Sequence, residues 1–134
     1  MKFIELKEKR MKKMILLMVA IAGLQCVVAG GKPKIEFQET EYVITDNVLG
    51  ETSDHVFVYK NVGDAPLVVA NVVPSCGCVT PTWTKNPVAP GDTGSVHVYY
   101  QSRVSGAFHK TMKVYSNAGG KRPVLQISGE TKKK

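Results

Sequence analysis

The sequence has no segment with the periodicity of an amphipathic helix. No window of helical length places apolar residues at positions i, i+3, i+4 and i+7. Internal repeats and long low-complexity stretches are also missing. These absences exclude a helix-rich fold and a repeat protein, and they leave a chain built from short β-strands.

The sequence motifs of several enzyme classes are also absent. There is no Gly-x-Ser-x-Gly nucleophile elbow and no glycine-rich phosphate loop. No Cys–His pair can be assigned a catalytic arrangement, and the scattered acidic residues do not support a paired-carboxylate site. The sequence therefore predicts no catalytic residue and no cofactor, and it favours a non-enzymatic function.

Clustered positive charge is missing from the body of the chain. Of 18 basic and 11 acidic residues, the first 29 positions hold six basic and two acidic ones, so 12 − 9 leaves a net charge of +3 for the rest. Residues 132–134 supply three of those twelve basic groups and form a solvated tail. Nucleic-acid binding needs Lys and Arg gathered on one surface, so the sequence predicts no nucleic-acid partner.

The N-terminus is typical of a signal peptide. Lys12 and Lys13 precede an apolar stretch, and Val27-Val28-Ala29 offers short side chains to a signal peptidase. Cleavage after Ala29 would divide the chain into a signal peptide, 1–29, and one domain, 30–134. We therefore expect export to the periplasm or the extracellular space, with no membrane span after cleavage.

Other readings of the N-terminus stay open. The apolar run 14–31 has 18 residues, which is near the lower limit for spanning about 30 Å of hydrocarbon, so it could be retained as an anchor. Cys26 could carry a lipid, although Gln25 stands where a small residue is expected. Translation could begin at Met1 or at Met11.

The domain that remains after cleavage divides into about seven β-rich runs separated by turn residues every 8–12 positions. This spacing is typical of an antiparallel two-sheet sandwich. The predicted fold is therefore all-β, an Ig-like antiparallel sandwich with its core at about 35–130. The predicted strands are 34–38, 42–45, 53–61, 67–73, 94–101, 108–117 and a last one around Leu125 and Ile127. The predicted common core contains Val58, Leu67, Val96, Val98, Phe108 and Val114.

Three further expectations concern local structure. The nearly all-apolar run 67–73 predicts a strand covered on both faces. Gly63 and Gly91 suit turns that need a positive φ. Asp64, Asp92 and Asn117 have short polar side chains that can hydrogen-bond backbone groups nearby.

An ordered set of short motifs carries a resemblance to a known family. The set runs Asn61-x-Gly63-Asp64-x-Pro66-Leu67, Ser75-Cys76-Gly77-Cys78, Pro90-Gly91-Asp92, Tyr100-x-Ser102, Gly106-x-Phe108-x-Lys110, Ser116-Asn117 and Leu125-x-Ile127-x-Gly129. This order resembles an uncharacterised family of exported bacterial Ig-like domains with a Cys-Gly-Cys motif, related to Hydin-type and pilus-chaperone-like sandwiches. The resemblance covers residues 35–130 and implies a seven-stranded Ig-like fold in the cell envelope, with no established activity.

Cys76 and Cys78 are the candidate site residues, and three interpretations remain open for them. They could be small packing residues at the end of a strand. They could form a local disulfide, because residues two apart lie within bridging distance and exported proteins are oxidised. They could also bind copper(I) or zinc, although zinc needs two more ligands and His55, His97 and His109 lack ligand spacing from them.

Two functions of different classes follow. The first is a non-enzymatic binding or adaptor module, whose protein partner adds a strand to an exposed sheet edge. The second is an envelope protein that uses Cys76 and Cys78 for thiol redox chemistry or for handling a soft metal.

Lys110, in phase with Phe108, is expected to lay its stem over apolar surface and to place its charge at the rim.

Overall fold

The computed structural model describes residues 31–134, which fold into eight β-strands and no helix. The predicted signal peptide, its cleavage site, Cys26 and the two candidate start residues lie outside the described residues. Within the described part no helix is long and apolar enough to cross a membrane. The strands are β1 (Ile35–Phe37), β2 (Glu41–Val48), β3 (Thr52–Asn61), β4 (Val69–Pro74), β5 (Val79–Trp83), β6 (Thr93–Gln101), β7 (Gly106–Ser116) and β8 (Val124–Lys132).

The eight strands form the two sheets of a sandwich. One sheet has the order β1-β3-β6-β5 and the other the order β2-β8-β7-β4. All pairs are antiparallel except β2–β8, which is parallel. The prediction of an Ig-like β-sandwich is confirmed, and the parallel pair is its one departure from antiparallel pairing.

All seven predicted strands are present, and the structure adds an eighth, β5. This strand reads Val79-Thr80-Pro81-Thr82-Trp83 and follows the Cys-Gly-Cys motif directly. Its central proline cannot donate to a neighbouring strand, so the sequence does not resemble a strand that is paired on both sides. At the edge of a sheet one side of the strand needs no donor, which is why Pro81 is tolerated there.

The core is mostly as predicted, with an error of phase in β3. Leu67, Val96, Val98 and Val114 are all buried as expected. Val58 is only half-buried, while its neighbours Phe57 and Tyr59 are fully buried. Consecutive side chains of a strand point to opposite faces, and the two aromatic rings bury far more apolar area than the valines do. The prediction of Val58 as a core residue is therefore wrong.

Two other core expectations are corrected. The run 67–73 is not covered on both faces, because Ala70 and Val73 are exposed on β4. This strand lies at the edge of its sheet and has one solvated face, as antiparallel sheets often do. Phe108 is half-buried and packs against the core from one end of the sandwich.

Asn61 organises the turn that follows β3. Its side chain is fully buried and donates hydrogen bonds to the backbone carbonyls of Ala65, at 2.7 Å, and Val88, at 2.9 Å. Its Oδ1 accepts from the Gly63 amide at 3.0 Å. Gly63 does not have a positive φ; a Cβ there would collide with the backbone of residues 32–34. Close approach of two backbone segments, and not turn geometry, is thus the reason for this glycine.

The other turn expectations are partly confirmed. Gly91 has a φ of 86°, as its turn requires. Asn117 accepts a hydrogen bond from the Val68 amide at 2.8 Å and donates one to the Pro66 carbonyl at 3.1 Å. This side chain therefore joins the end of β7 to the segment that leads into β4.

Candidate functional site

The Cys-Gly-Cys motif forms the tight connection between β4 and β5, and so it links the two sheets. Hydrogen bonds hold both of its ends. The Ser75 amide donates to the Thr111 carbonyl at 2.8 Å, and the Thr111 amide donates back to Ser75 Oγ at 3.1 Å. At the other end, the Cys78 carbonyl accepts from the Gln101 amide at 2.9 Å. The motif is thereby fixed against β6 on one side and β7 on the other.

The two cysteines face each other across Gly77. Their Cα atoms are 5.3 Å apart, and their Sγ atoms lie within bonding distance. Cys78 is only 8% exposed, whereas Cys76 is half-buried. The Cys78 amide is directed at Cys76 Sγ, at 3.2 Å. This arrangement is a local disulfide in which Cys76 is the more exposed residue of the two.

A cleft of about 490 Å³ opens beside the two sulfur atoms. It lies at the end of the sandwich where residues 102–105 cross from β6 to β7. Its apolar wall is the Tyr100 ring stacked on the Phe108 ring, with centroids 4.3 Å apart. The residues that line it are Cys76, Gly77, Cys78, Tyr100, Arg103, Val104, Ser105, Ala107, Phe108, His109 and Lys110.

The lining of this cleft is basic. It contains Arg103, His109 and Lys110, and it contains no Asp or Glu. Among residues 31–134 neither Arg103 nor Lys110 has a carboxylate within 4.0 Å. Arg103 instead donates to Gln101 Oε1 at 3.3 Å, and His109 Nε2 lies 2.7 Å from Gln126 Oε1. The cleft therefore combines a sulfur pair with positive charge that described acidic groups leave unneutralised.

The structure brings together some of the residues that the sequence suggested and separates others. Lys110 and His109 reach the cleft, whereas His55 and His97 lie outside it and contact Glu39 and Asp54. Within the described part of the chain no three His, Cys, Asp or Glu side chains are grouped so as to hold a metal ion. Sequence reasoning missed Arg103 and the role of Tyr100, although the Tyr100-x-Ser102 motif marked the end of β6, just before Arg103.

The sheet edges form a second candidate site. The four edge strands are β1 and β5 in one sheet and β2 and β4 in the other. The edges of β4 and β5 are tied together, because the Trp83 indole donates to the Val69 carbonyl at 3.1 Å. β1 has only three residues. β2 has eight residues and no proline, and its pairing with β8 is regular up to a register shift between Ile44 and Asn47, so residues 41–44 form the edge best able to accept another strand.

The hydrogen-bonding direction of β2 follows from its contact with β8. The Thr40 carbonyl accepts from the Gln126 amide at 2.7 Å, which directs the backbone groups of residue 40 toward β8. Backbone groups alternate sides along a strand, so those of Tyr42 and Ile44 also face β8 and those of Glu41 and Val43 face away. β2 pairs with no other described strand, and the Val43 side chain is 58% exposed.

The fold and its motifs define the class of this protein: an Ig-like β-sandwich. Within that class, the chain belongs to the family described as protein of unknown function DUF1573, whose model matches residues 35–131. This match confirms the resemblance drawn from the ordered motifs. No curated protein is similar enough in sequence to count as a relative.

Solved structures with this fold come from different organisms. A protein of unknown function from Porphyromonas gingivalis W83 has a TM-score of 0.65 and 15% identity over 78% of this chain. A PapD-like domain of human CEP192 has a TM-score of 0.59 and 14% identity over 75% of this chain, and the alignment covers 87% of that domain. The VesB protease of Vibrio cholerae has a TM-score of 0.60 and 18% identity over 75% of this chain. The chain spans half the length of the Porphyromonas protein and about a third, 32%, of VesB.

Proposed function

We propose that this protein is an exported, non-enzymatic binding module that takes up an extended segment of another protein along β2. The observation that carries this proposal is the open edge of β2, whose pairing with β8 is regular over residues 41–44. An added strand would gain main-chain hydrogen bonds from the outward backbone groups of Glu41 and Val43. Export to the cell envelope, supported by Lys12, Lys13 and Val27-x-Ala29, would bring the edge to its partner.

The side chains of β2 define what the partner strand must offer. Val43 is well exposed on one face of the sheet, while Ile44 is buried on the other. Side chains of neighbouring strands pair across a sheet, so a partner strand gains most from an apolar or β-branched residue placed beside Val43. The proposed partner is therefore a segment with high β-propensity that has no fixed strand neighbour of its own.

A proline scan of the β2 edge tests this proposal. The full chain is immobilised and exposed to cell-envelope extract, and the captured proteins are quantified. Val43→Pro removes an outward-facing amide, so capture should fall by about tenfold or more, since every missing or clashing ladder bond weakens strand addition. Val43→Thr, which keeps the amide and a β-branched side chain, should capture as much as the parent chain. Equal capture by Val43→Pro, shown by its melting curve to be folded, would rule out strand addition at β2.

A second function is thiol redox chemistry at Cys76 and Cys78, and it is supported by the sulfur pair and the basic cleft beside it; soft-metal handling by the same two cysteines is its alternative form. Thiol titration and metal analysis of the purified protein distinguish a disulfide from a metal site. A disulfide gives no free thiol and no metal, whereas a metal site gives stoichiometric copper or zinc. Two free thiols without metal would leave these cysteines a packing role alone.

A further inference from the structure

The basic cleft has the parts of a site for a small anionic thiol. Its volume of about 490 Å³ falls within the range of pockets that hold small molecules, roughly 300–1,000 Å³. Its lining includes both cysteines, the stacked rings of Tyr100 and Phe108, and the cationic residues Arg103 and Lys110. A ligand that contacts the sulfur pair, the aromatic rings and the cations needs a sulfur atom, a short apolar stem and a negative charge.

The two sulfur atoms are not equivalent. Cys76 is the more exposed residue of the two, and the Cys78 amide lies 3.2 Å from its Sγ. An amide donor and nearby positive charge both stabilise a thiolate. Cys76 is therefore the sulfur that an incoming thiolate can reach, and also the better nucleophile once the pair is reduced. Cys78, which is 8% exposed, is the sulfur that leaves or resolves inside the protein.

We propose that the Cys76–Cys78 pair undergoes thiol–disulfide exchange with a small thiol that carries a carboxylate, and that Arg103 and Lys110 bind this carboxylate. In the first step the substrate thiolate attacks Cys76 Sγ; a mixed disulfide forms, the Cys76–Cys78 bond breaks, and Cys78 leaves as a thiolate. A second substrate thiolate attacks the substrate sulfur of the mixed disulfide and releases Cys76. Two electrons pass from two substrate thiols to the protein disulfide, and the products are a substrate disulfide and the protein dithiol, protonated by water.

The substrate charge provides the test. The oxidised full-length chain, with Cys26 replaced by serine in every variant so that Cys76 and Cys78 are its only cysteines, is mixed with 3-mercaptopropionate, 2-mercaptoethanol or cysteamine, which are short thiols bearing a negative, no and a positive charge. Reduction of the disulfide is followed by mass spectrometry after acid quench. Each rate is divided by the thiolate concentration and by the rate of the same thiolate with a small neutral disulfide, which removes the intrinsic differences in nucleophilicity. Two cations at the cleft should favour the anionic over the neutral thiol by about fivefold at low salt and over cysteamine by more, and added salt should diminish both ratios.

Variants that remove the cleft cations test whether these cations cause the preference for the anionic thiol. Arg103→Gln with Lys110→Gln should bring all three rates close together. Lys113→Gln removes an exposed cation from the same strand outside the cleft, so it should keep the parent ratios. A general loss of structure would also bring the three rates together, so the double variant must first be shown by its melting curve to be folded like the parent chain, and its absolute rates must not rise as those of an exposed disulfide would.

Single-cysteine variants test the assignment of the two sulfurs. With the disulfide of 3-mercaptopropionate as oxidant, Cys78→Ser should form a mixed disulfide at Cys76 several times faster than Cys76→Ser forms one at Cys78. The proposal is overturned if the parent chain forms no disulfide, if the three thiols react equally with it, or if the anion preference survives in the Arg103 and Lys110 double variant. Each outcome is independent of strand addition at β2.

Discussion

Tyr59 combines complete burial with a polar hydroxyl group. It is the largest fully buried side chain, yet its hydroxyl has no partner with hydrogen-bond geometry among the described residues. Gly94 on β6 makes room for it, since a Cβ at that position would collide with the phenol ring and hydroxyl. Burial raises the pKa of Tyr59 above its ordinary value of 10.0, and the nearby Thr84 side chain opposes this weakly.

This pKa shift predicts a loss of stability in alkali. Below about pH 10 the phenol is neutral in both the folded and the unfolded chain, so Tyr59 adds no pH dependence there. Above that pH the unfolded chain loses the proton first, because the folded-state pKa is higher, and stability falls until the folded-state pKa is passed. Denaturant unfolding of Tyr59→Phe should therefore show a shallower alkaline decline than the parent chain. Parallel declines would mean that Tyr59 titrates as an exposed tyrosine does.

Only some residues of the cleft could be predicted from the sequence. Cys76 and Cys78 could be found from spacing alone, since two residues so close in sequence must be close in space. Arg103 and Tyr100 could not. Tyr100 reaches the sulfur pair because β6 pairs with β5, which places it opposite Val79, and Arg103 reaches it through the path of residues 102–105 between the sheets. The base of that loop is set by Ser102, whose amide donates to the Glu51 carbonyl at 3.0 Å and whose carbonyl accepts from Gly50 at 2.9 Å. A contact across about 50 residues leaves no periodic signal in the sequence.

The strand β3 shows why the phase of an alternating pattern can be misjudged. Its sequence alternates Val56 and Val58 with Phe57 and Tyr59, so both faces are apolar and the pattern alone does not say which is inside. The structure buries the aromatic face. Strand existence and approximate bounds were predictable because turn residues separate the runs, whereas face assignment depends on the packing of the second sheet.

The packing of β3 makes a quantitative prediction. Phe57→Ala should reduce the free energy of unfolding by about 3–5 kcal/mol, since a fully buried ring leaves a cavity. Val58→Ala should cost less than about 1.5 kcal/mol, because that side chain is half-exposed. Phe108→Ala should fall between the two, as its half-buried ring packs on Tyr100. Urea unfolding of the three variants measures the order of these losses. A larger loss of unfolding free energy for Val58→Ala than for Phe57→Ala would show that the valine face of β3, and not the aromatic face, is buried.

Two features of the sheets were not predictable from strand patterns. β5 was missed because Pro81 and its flanking threonines give no apolar run, and the strand exists by pairing with β6 along one side only. The parallel pairing of β2 with β8 joins segments more than 80 residues apart, from Glu41↔Gln126 to Val48↔Lys132. Alternation identifies a strand but carries no information on the direction of its neighbour.

The whole molecule is proposed to act outside the cytoplasm, and its N-terminus tests this. Lys12, Lys13 and the apolar run that follows predict cleavage after Ala29. N-terminal sequencing of the protein recovered from its native cells should read Gly30, or a residue within one or two positions of it. Changing Ala29 to a bulky residue should slow the processing. Soluble protein that retains Met1 or Met11 would contradict export by a cleaved signal.

The two candidate sites lie on different strands of the sandwich. The cleft is built from the β4–β5 and β6–β7 connections, whereas the open edge belongs to β2, which contributes no residue to the cleft. Binding at the edge and chemistry at the sulfur pair can therefore be removed separately. Val43→Pro should leave thiol exchange unchanged, and replacement of both cysteines should leave partner capture unchanged, because neither substitution touches the other site.

Amide hydrogen exchange along β2 tests strand addition most directly. The captured partner is purified and added to the full chain, and exchange is compared with and without it. The amides of Glu41 and Val43, which face away from β8, should become strongly protected, while those of Tyr42 and Ile44 are already protected by β8 and should change little. Protection that appears elsewhere in the described domain, with the Val43 amide exchanging as fast as before, would show that the partner binds another surface and that β2 is not the docking edge.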